Sequence, residues 1–274
     1  MTDFFTKLNT SIDKNNSLLC VGLDPVLSKL PAHLQNDDTP FFTFNKGLVD
    51  ATADLVCAYK PNSAFYEALG PRGIEELKQT IQYINDTYPD IPVILDAKRA
   101  DIGSTNEGYI DFTFDYLSVD AVTLHPYLGS EALAPFLALQ DKGMIILCRT
   151  SNPGAAEFQD LLIDGQPLYE HVAREVASSW NTNQNCLLVV GATYPEEMAK
   201  IRGIVGSDMA FLVPGVGAQG GDIGAVMKAG IGNDKRGLII NSARDIIYAD
   251  SSEHFAEAAR TRALQTRDTI NNYR

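Results

Sequence analysis

The sequence repeats one pattern eight times: a short apolar run, a few polar or glycine residues, and then a stretch in which apolar residues have helical spacing. The runs do not alternate between apolar and polar residues, which is typical of strands buried on both faces. We therefore predict eight strands, over residues 17–23, 56–59, 92–95, 121–124, 144–147, 187–190, 210–213 and 238–240. Every strand delivers its polar residues at the same end.

Eight strands that alternate with helices predict an α/β fold, a closed (β/α)₈ or TIM barrel. The length of 274 residues suits one such barrel, so we expect a single domain over residues 1–274 with a short N-terminal helix. An open doubly wound sheet is the alternative, because Gly215, Gly217 and Gly220 have the spacing of a dinucleotide-binding loop. That loop lies near the C-terminus, however, and the next strand ends in Asn241 rather than in an acid that binds a ribose.

The composition limits the partners of the chain. Its formal net charge is −13, and it lacks the clustered Lys and Arg that a nucleic-acid surface needs, so we expect no nucleic-acid partner. The four cysteines lie in or beside apolar runs without metal-ligand spacing, which predicts buried free thiols at Cys20, Cys57, Cys148 and Cys186. No apolar stretch has the length of a signal peptide or membrane span, so we expect a cytoplasmic protein without membrane contact.

The third predicted strand ends in a cluster of charges. Asp96 and Lys98 are two residues apart and so project to the same side of a strand, and Asp101 follows in the turn. An ion pair at a strand end would explain an isolated Asp-x-Lys pattern. The first and second strands, however, deliver Asp24 and Lys60 to the same rim of the predicted barrel.

Two lysines among these acids predict a site without metal or cofactor, because Mg²⁺ requires several oxygen ligands. A substrate carboxylate there would meet Asp96 and Asp101, and like charges ~4 Å apart at an effective dielectric constant of ~20 repel by roughly 4 kcal/mol. Departure of that group as neutral CO₂ relieves the repulsion. Lys98 can stabilise the carbanion that remains and then protonate it, so the charges predict a cofactor-free decarboxylase.

The loops after the seventh and eighth strands predict an anion site. In barrels these loops commonly present backbone N–H groups to a phosphate, and here Gln219 would add a donor and Arg244 a positive charge. The alternative is that the glycines make a tight turn and Arg244 pairs with a carboxylate. Residues 151–166 lack periodicity, and both a lid and a passive surface insertion fit them.

Together these motifs resemble the orotidine 5′-phosphate decarboxylase family, in its subgroup of longer bacterial-type chains, over nearly the whole sequence. The matching motifs are Val21-Gly22-Leu23-Asp24-Pro25, Lys60-Pro61-Asn62, residues 96–105, residues 214–222 and Arg244. The resemblance implies conversion of orotidine 5′-phosphate to UMP and CO₂, the last step of de novo pyrimidine synthesis.

The resemblance also implies roles for individual residues. It implies a catalytic network of Lys60, Asp96, Lys98 and Asp101, in which Lys98 protonates C6 of the pyrimidine. It implies that the substrate is bound by Asp24, Ile102, Thr105, Ser151, Gln219 and Arg244. In this scheme Asp24 and Lys60 hold ribose hydroxyls, Ser151 lies near the pyrimidine, and Gln219 and Arg244 grip the phosphate. The implied assembly is a homodimer, in which the neighbouring subunit's site is reached by Asp101, Ile102 and Thr105.

Two other functions remain open at this point. A metal-dependent sugar-phosphate decarboxylase or aldolase of the same superfamily shares the Asp-x-Lys-x-x-Asp pattern, but by resemblance it has an acid where this chain has Lys60. A non-catalytic barrel that senses UMP would explain the phosphate loop. It would have no use for Asp96 and Asp101 beside the ligand.

Overall fold

A computed structural model describes residues 3–217 and 220–274, and a sheet of eight parallel strands forms its centre. The strands are β1 (Leu19–Gly22), β2 (Ala58–Lys60), β3 (Ile94–Arg99), β4 (Ala121–Leu124), β5 (Gly143–Arg149), β6 (Cys186–Val190), β7 (Phe211–Val213) and β8 (Leu238–Ser242). Their order is β2-β1-β8-β7-β6-β5-β4-β3. Parallel bridges join β2 to the β3 segment at Tyr59–Val93 and Asn62–Asp96, which closes the ring. The predicted barrel is confirmed, and the doubly wound sheet is excluded.

Twelve α-helices occur in the described residues. They are α1 (Phe4–Asn15), α2 (Pro40–Thr52), α3 (Ser63–Glu67), α4 (Pro71–Thr87), α5 (Gly103–Ile110), α6 (Gly129–Leu137), α7 (Ala156–Gln159), α8 (Leu168–Glu175), α9 (Pro195–Val205), α10 (Ile223–Gly230), α11 (Arg244–Ile247) and α12 (Phe255–Asn271). A proline begins α2, α4 and α9, where the missing N–H would have no helical partner. Segments with π-helical hydrogen bonding extend α5 through Tyr116 and α8 through Trp180.

The N-terminal helix α1 closes the amino end of the barrel. Phe4 is 1% exposed, and its ring lies where a Cβ on Gly143, the first residue of β5, would be placed. Lys7 pairs with Asp120 at 2.8 Å, just before β4. The polar strand ends therefore lie at the opposite rim. That the barrel domain spans residues 1–274 stays a prediction.

The structure differs from the sequence prediction around the third strand. The strand runs from Ile94 to Arg99 rather than over residues 92–95, because its pairing with β4 resumes at Arg99 after a register shift. The following helix begins at Gly103. The longer strand thus includes Asp96 and Lys98, whereas Asp101 lies in the turn between β3 and α5.

Residues 151–166 form short elements that periodicity does not reveal. A 3₁₀ turn at Pro153–Ala155 leads into α7, and a small hairpin pairs Leu162–Ile163 with Gln166–Pro167. Asp164 and Gly165 at its tip both have positive φ, as a type I′ turn requires. The segment is thus a folded excursion between β5 and α8.

The four cysteines are buried and free, as predicted. None of the helices in residues 3–217 and 220–274 combines the length and the apolar character needed to cross a bilayer.

A pair of glycine substitutions tests the close packing of α3 against α4. A Cβ on Gly73 would lie 2.0 Å from the carbonyl oxygen of Tyr66, so Gly73→Ala must force the two helices apart. We expect a loss of about 1–3 kcal/mol in the free energy of unfolding. In the control, Gly203→Ala in α9 meets no atom within 4 Å and should gain about 0.5–1 kcal/mol from helix propensity. Denaturant unfolding measures both, and a Gly73→Ala protein as stable as the wild type would contradict this packing.

Candidate active site

Asp96 lies between two lysines at the carboxyl rim of the barrel. Its Oδ2 accepts a hydrogen bond from Nζ of Lys60 at 3.0 Å, and its Oδ1 accepts one from Nζ of Lys98 at 2.6 Å. The Lys60 side chain is 3% exposed and the Asp96 side chain 13%, whereas that of Lys98 is 49% exposed. The three charges thus form a row that runs from the barrel interior to the open rim.

The backbone bends at Lys98 to make this contact. Lys98 has φ of +48°, in the left-handed region that non-glycine residues rarely adopt, and it lies within the register shift between β3 and β4. Thr123 of β4 holds this bend, because its hydroxyl accepts from the N–H of Lys98 and donates to Oδ1 of Asp96. Asp96 and Lys98 meet as predicted, although through a bulge rather than through regular strand pleating.

The loop after β2 connects Asp24 to the same network. The backbone N–H of Asn62 donates to Oδ1 of Asp24 at 3.1 Å, and the Asn62 side-chain amide donates to Oδ2 of Asp96 at 3.3 Å. The Asn62 side-chain oxygen also caps α3 by accepting from the N–H of Ala64. One asparagine therefore fixes the position of two carboxylates.

Charge pairing keeps the network ionised. Burial raises the pKa of Asp96, but the positive charges of Lys60 and Lys98 outweigh burial and hold the pKa well below its usual range. Burial lowers the pKa of Lys60, but Asp96 and Asp24 reverse that effect and raise it. Asp24 differs, because burial exceeds the attraction of Lys60 and raises its pKa. The site holds charge in a largely desolvated place, where electrostatic effects on a reaction are strong.

The structure places Asp101, Ile102 and Thr105 together, but at the outer side of the rim. Asp101 accepts from the N–H of Ile102 through its own carboxylate, and its backbone is bonded at both N–H and C=O to the buried Asn106 side chain. Ile102 is 61% exposed, and Thr105 is exposed in the first turn of α5. Within the described residues no ion pair joins Asp101 to Lys60 or Lys98. Of the predicted cluster of Asp96, Lys98 and Asp101, one chain therefore pairs Asp96 with Lys98, and Lys60 is the third charge of the row.

The remaining predicted binding residues occupy other loops of the same rim. Ser151 follows β5, and its backbone packs on Gly191 at the end of β6. Arg244 begins α11 directly after β8 and lines an open cleft of about 560 Å³ with Lys29 and Tyr248. Arg244 has no carboxylate partner among the residues that the structure describes. The alternative in which Arg244 only pairs with a carboxylate is therefore excluded for these residues. Gln219 lies outside the described residues.

Sequence reasoning missed three residues that shape the site: Asn62, Asn106 and Thr123. Thr123 is the polar member of an otherwise apolar strand, which was a usable signal. Asn62 belongs to the matching motif Lys60-Pro61-Asn62 but received no role of its own, and Asn106 lies inside α5, where nothing in the sequence pattern distinguishes it. Chemically, the row of charges can repel an anion at Asp96 and deliver a proton from Lys98.

The described residues contain no group of three or more His, Cys, Asp or Glu side chains arranged to hold a metal ion. The charges around Asp96 explain why a metal ion would not bind there. Both oxygens of Asp96 face ammonium groups, which occupy the positions that a cation would need.

Comparisons with known proteins agree on one family. The model of the orotidine 5′-phosphate decarboxylase / HUMPS family matches residues 17–259. An orotidine 5′-phosphate decarboxylase of Cupriavidus metallidurans is 52% identical over 271 residues, which cover 99% of this chain and 98% of that protein. One of Cellvibrio japonicus is 54% identical over 270 residues, 98% of each chain. The solved structure of Leishmania donovani OMP decarboxylase is similar at a TM-score of 0.86 and 35% identity, covering 99% of this chain and 98% of that chain.

The raised pKa of Asp24 gives a prediction for stability. Above its folded pKa the ionised carboxyl disfavours folding, and this effect disappears below the unfolded pKa of about 3.9. Asp24→Asn should therefore raise the unfolding temperature at pH 7, and the gain should shrink as the pH falls towards 4. Thermal unfolding at several pH values measures this difference.

Asp54→Asn is the control of opposite sign. The hydrogen bond from Arg260 lowers the pKa of Asp54, so this variant should lose stability at neutral pH and lose less as the pH falls towards and below 4. An Asp24→Asn protein that is less stable than the wild type at pH 7 would show that burial does not dominate at Asp24.

Proposed function

The chain belongs to the orotidine 5′-phosphate decarboxylase / HUMPS family and is a carboxy-lyase of pyrimidine biosynthesis, and we propose that it converts orotidine 5′-phosphate to UMP and CO₂ without a cofactor. One observation carries the proposal: Asp96 is kept ionised between Lys60 and Lys98 at the open rim of the barrel. An ionised acid beside a partly exposed ammonium suits a reaction that expels a carboxylate and then adds a proton.

In the proposed mechanism the substrate carboxylate at C6 is placed against Asp96, which destabilises it relative to the transition state. The bond from C6 to the carboxylate breaks, CO₂ departs, and the electron pair stays on C6. The ammonium of Lys98 stabilises this carbanion and transfers its proton to C6, which gives UMP. Solvent then returns a proton to Lys98, whose side chain is half exposed.

The other residues bind the parts of the substrate that do not react. Asp24 and Lys60 hold ribose hydroxyls, and Ser151 contacts the pyrimidine. Arg244, which is exposed and lacks a carboxylate partner among the described residues, binds the phosphate together with Gln219. We also propose that this reaction is the last step of UMP synthesis and that the protein is cytoplasmic.

The metal-dependent sugar-phosphate enzymes are the second candidate, because the matching family model includes the HUMPS name. An acid at position 60 would favour them. The buried ammonium of Lys60 there instead favours the metal-free reaction.

The proposed function predicts CO₂ release from orotidine 5′-phosphate by protein that has been treated with EDTA and assayed in chelated buffer. Lys98→Ala should lower kcat by several orders of magnitude, because it removes the proton donor, while UMP binding changes little. Activity is followed by the loss of substrate absorbance and UMP binding by calorimetry. Loss of activity that Mg²⁺ restores would favour the second candidate, and a Lys98→Ala enzyme with near wild-type turnover would exclude Lys98 as the donor.

We further propose a homodimer whose sites are shared. Asp101, Ile102 and Thr105 lie on the outer side of the rim and, in the described residues, form no hydrogen bond or ion pair with the charged row of their own chain. Ile102 is 61% exposed, and in the next loop Tyr127 is 89% exposed, so this side presents apolar groups to solvent. A two-fold dimer would cover them and bring Asp101 into the partner's network.

Mixing two inactive variants tests the shared site. Asp101→Ala and Lys98→Ala chains should regain activity on mixing, because in a heterodimer one site collects both lesions and the other has none. With random exchange about half of the dimers are mixed, each with one intact site, so activity should reach roughly a quarter of wild type. An affinity tag on one of the two variants shows whether subunits have exchanged, because the untagged variant is then recovered with it, and activity is measured on the same mixture. If exchange occurs and the mixture stays inactive, Asp101 acts within its own subunit.

A further inference from the structure

Arg149 is a buried cation that the proposed mechanism does not use. It is the last residue of β5, its side chain is 1% exposed, and it directly precedes the segment that carries Ser151. Burying a guanidinium is unfavourable unless its donors are paired, so an apolar side chain would serve better if only packing mattered here. The partners of Arg149 therefore indicate what the charge is for.

The guanidinium joins the two ends of the excursion from Thr150 to Asp160. At the near end, Nη1 donates to the carbonyl oxygen of Thr150 at 3.2 Å. At the far end, Nη2 donates to Oδ2 of Asp160 at 3.2 Å, and Nη1 donates to Oε1 of Gln159 at 3.4 Å. Nε lies 3.1 Å from Oδ1 of Asp160, an ion-pair distance, although its N–H is not aimed at an acceptor.

Gln159 strengthens the same closure. Its side-chain oxygen accepts from the N–H of Thr150 at 2.9 Å, and its amide nitrogen donates to the Thr150 hydroxyl at 2.9 Å. That hydroxyl donates to the Asn152 side chain at 2.7 Å. Thr150 and Asn152, the residues on either side of Ser151, are thus held by the group of residues that Arg149 gathers.

A neighbouring loop holds the excursion from the other side. The guanidinium lies 3.8 Å from the ring centroid of Tyr194, which precedes α9, so it stacks on that loop. Ser151 packs closely on Gly191, since a Cβ added to Gly191 would lie only 2.7 Å from the Ser151 backbone. The Thr193 hydroxyl donates to the carbonyl oxygen of Ser151 at 3.4 Å. Arg149 therefore joins the β5 and β6 loops at Ser151.

We propose that Arg149 is a positioning residue for Ser151, which it holds at the pyrimidine by closing residues 150–160 and stacking on Tyr194. The inference rests on the proposed function, in which Ser151 contacts the substrate. A planar guanidinium suits this task, because it can bond in its plane to Thr150 and Asp160 while its face packs on an aromatic ring. Lysine keeps the charge but has neither the planar fork of donors nor the flat face that stacks on the ring.

A double-mutant cycle in kcat/KM for orotidine 5′-phosphate tests whether Arg149 acts through Ser151. Arg149→Met should lower kcat/KM by about 100-fold, because a shift of about 1 Å in a group that contacts the substrate, here Ser151, has an effect of that size. In a Ser151→Ala background the same change should lower kcat/KM by less than about 2-fold, since the positioned group is already gone. Arg149→Lys should recover part of the loss, because it keeps the ion pair with Asp160.

Arg202→Met is the matched control. Arg202 also stacks on a ring at 3.8 Å, that of Phe211, and donates to carbonyl oxygens, but it lies at the amino ends of β7 and β8, away from the site. Its loss should lower the unfolding temperature and leave kcat/KM of the folded enzyme unchanged. Should Arg149→Met fail to fold, Asp160→Asn removes the partner charge at a 42% exposed side chain and enters the same cycle.

The outcomes separate this inference from the proposed function. If Arg149→Met lowers kcat/KM only in the protein that retains Ser151, and not in the Ser151→Ala protein, the positioning role is supported. An unchanged kcat/KM in Arg149→Met, or an equal loss in both backgrounds, overturns it while wild-type decarboxylation stands. A wild-type enzyme that releases no CO₂ from orotidine 5′-phosphate overturns the proposed function and the inference together.

Discussion

The carboxylate of Asp96 is the centre on which the other features of the site depend. Burial raises its pKa, but the charges and hydrogen bonds of the two flanking ammonium groups outweigh burial and keep the pKa low. The dependence is mutual, because the buried Lys60 stays charged through Asp96 and Asp24. Removing Asp96 or Lys60 leaves its partner as an unpaired buried charge, which costs far more than the pair contributes. The network therefore persists as a unit, and the barrel must hold all its members at once.

The closed barrel explains how distant parts of the sequence meet at this unit. Lys60 ends β2, Asp96 lies on β3, and Thr123 lies on β4, and the parallel arrangement brings their carboxyl ends to one rim. The bridge between Asn62 and Asp96 closes the ring at the same place where it assembles the site. Closure of the fold and assembly of the charges thus depend on the same contact.

The sequence predicted the features that repeat and missed those that occur once. Eight apolar runs fix the barrel because burial on both faces leaves a distinct pattern, and charges after those runs must share a rim. The bulge at Lys98 leaves no such pattern, since it depends on the Thr123 hydroxyl in the next strand. The Asp164-Gly165 hairpin did carry a turn signal, but its strands have two residues each, too few to show alternation. Arg149 was visible only as a charge at a strand end.

Lys98 shows why such a site departs from regular structure. A positive φ at a non-glycine residue costs on the order of 1–3 kcal/mol. A hydrogen bond from its N–H to Thr123 returns about 1 kcal/mol, and the charged bond to Asp96 adds to this. In a regular strand the Lys98 side chain would follow the pleat, whereas the bend sets its ammonium beside Asp96 before any substrate arrives. The bonds to Thr123 and Asp96 thus offset the backbone strain at Lys98 in the free enzyme. The proton donor therefore needs no rearrangement at the moment of reaction.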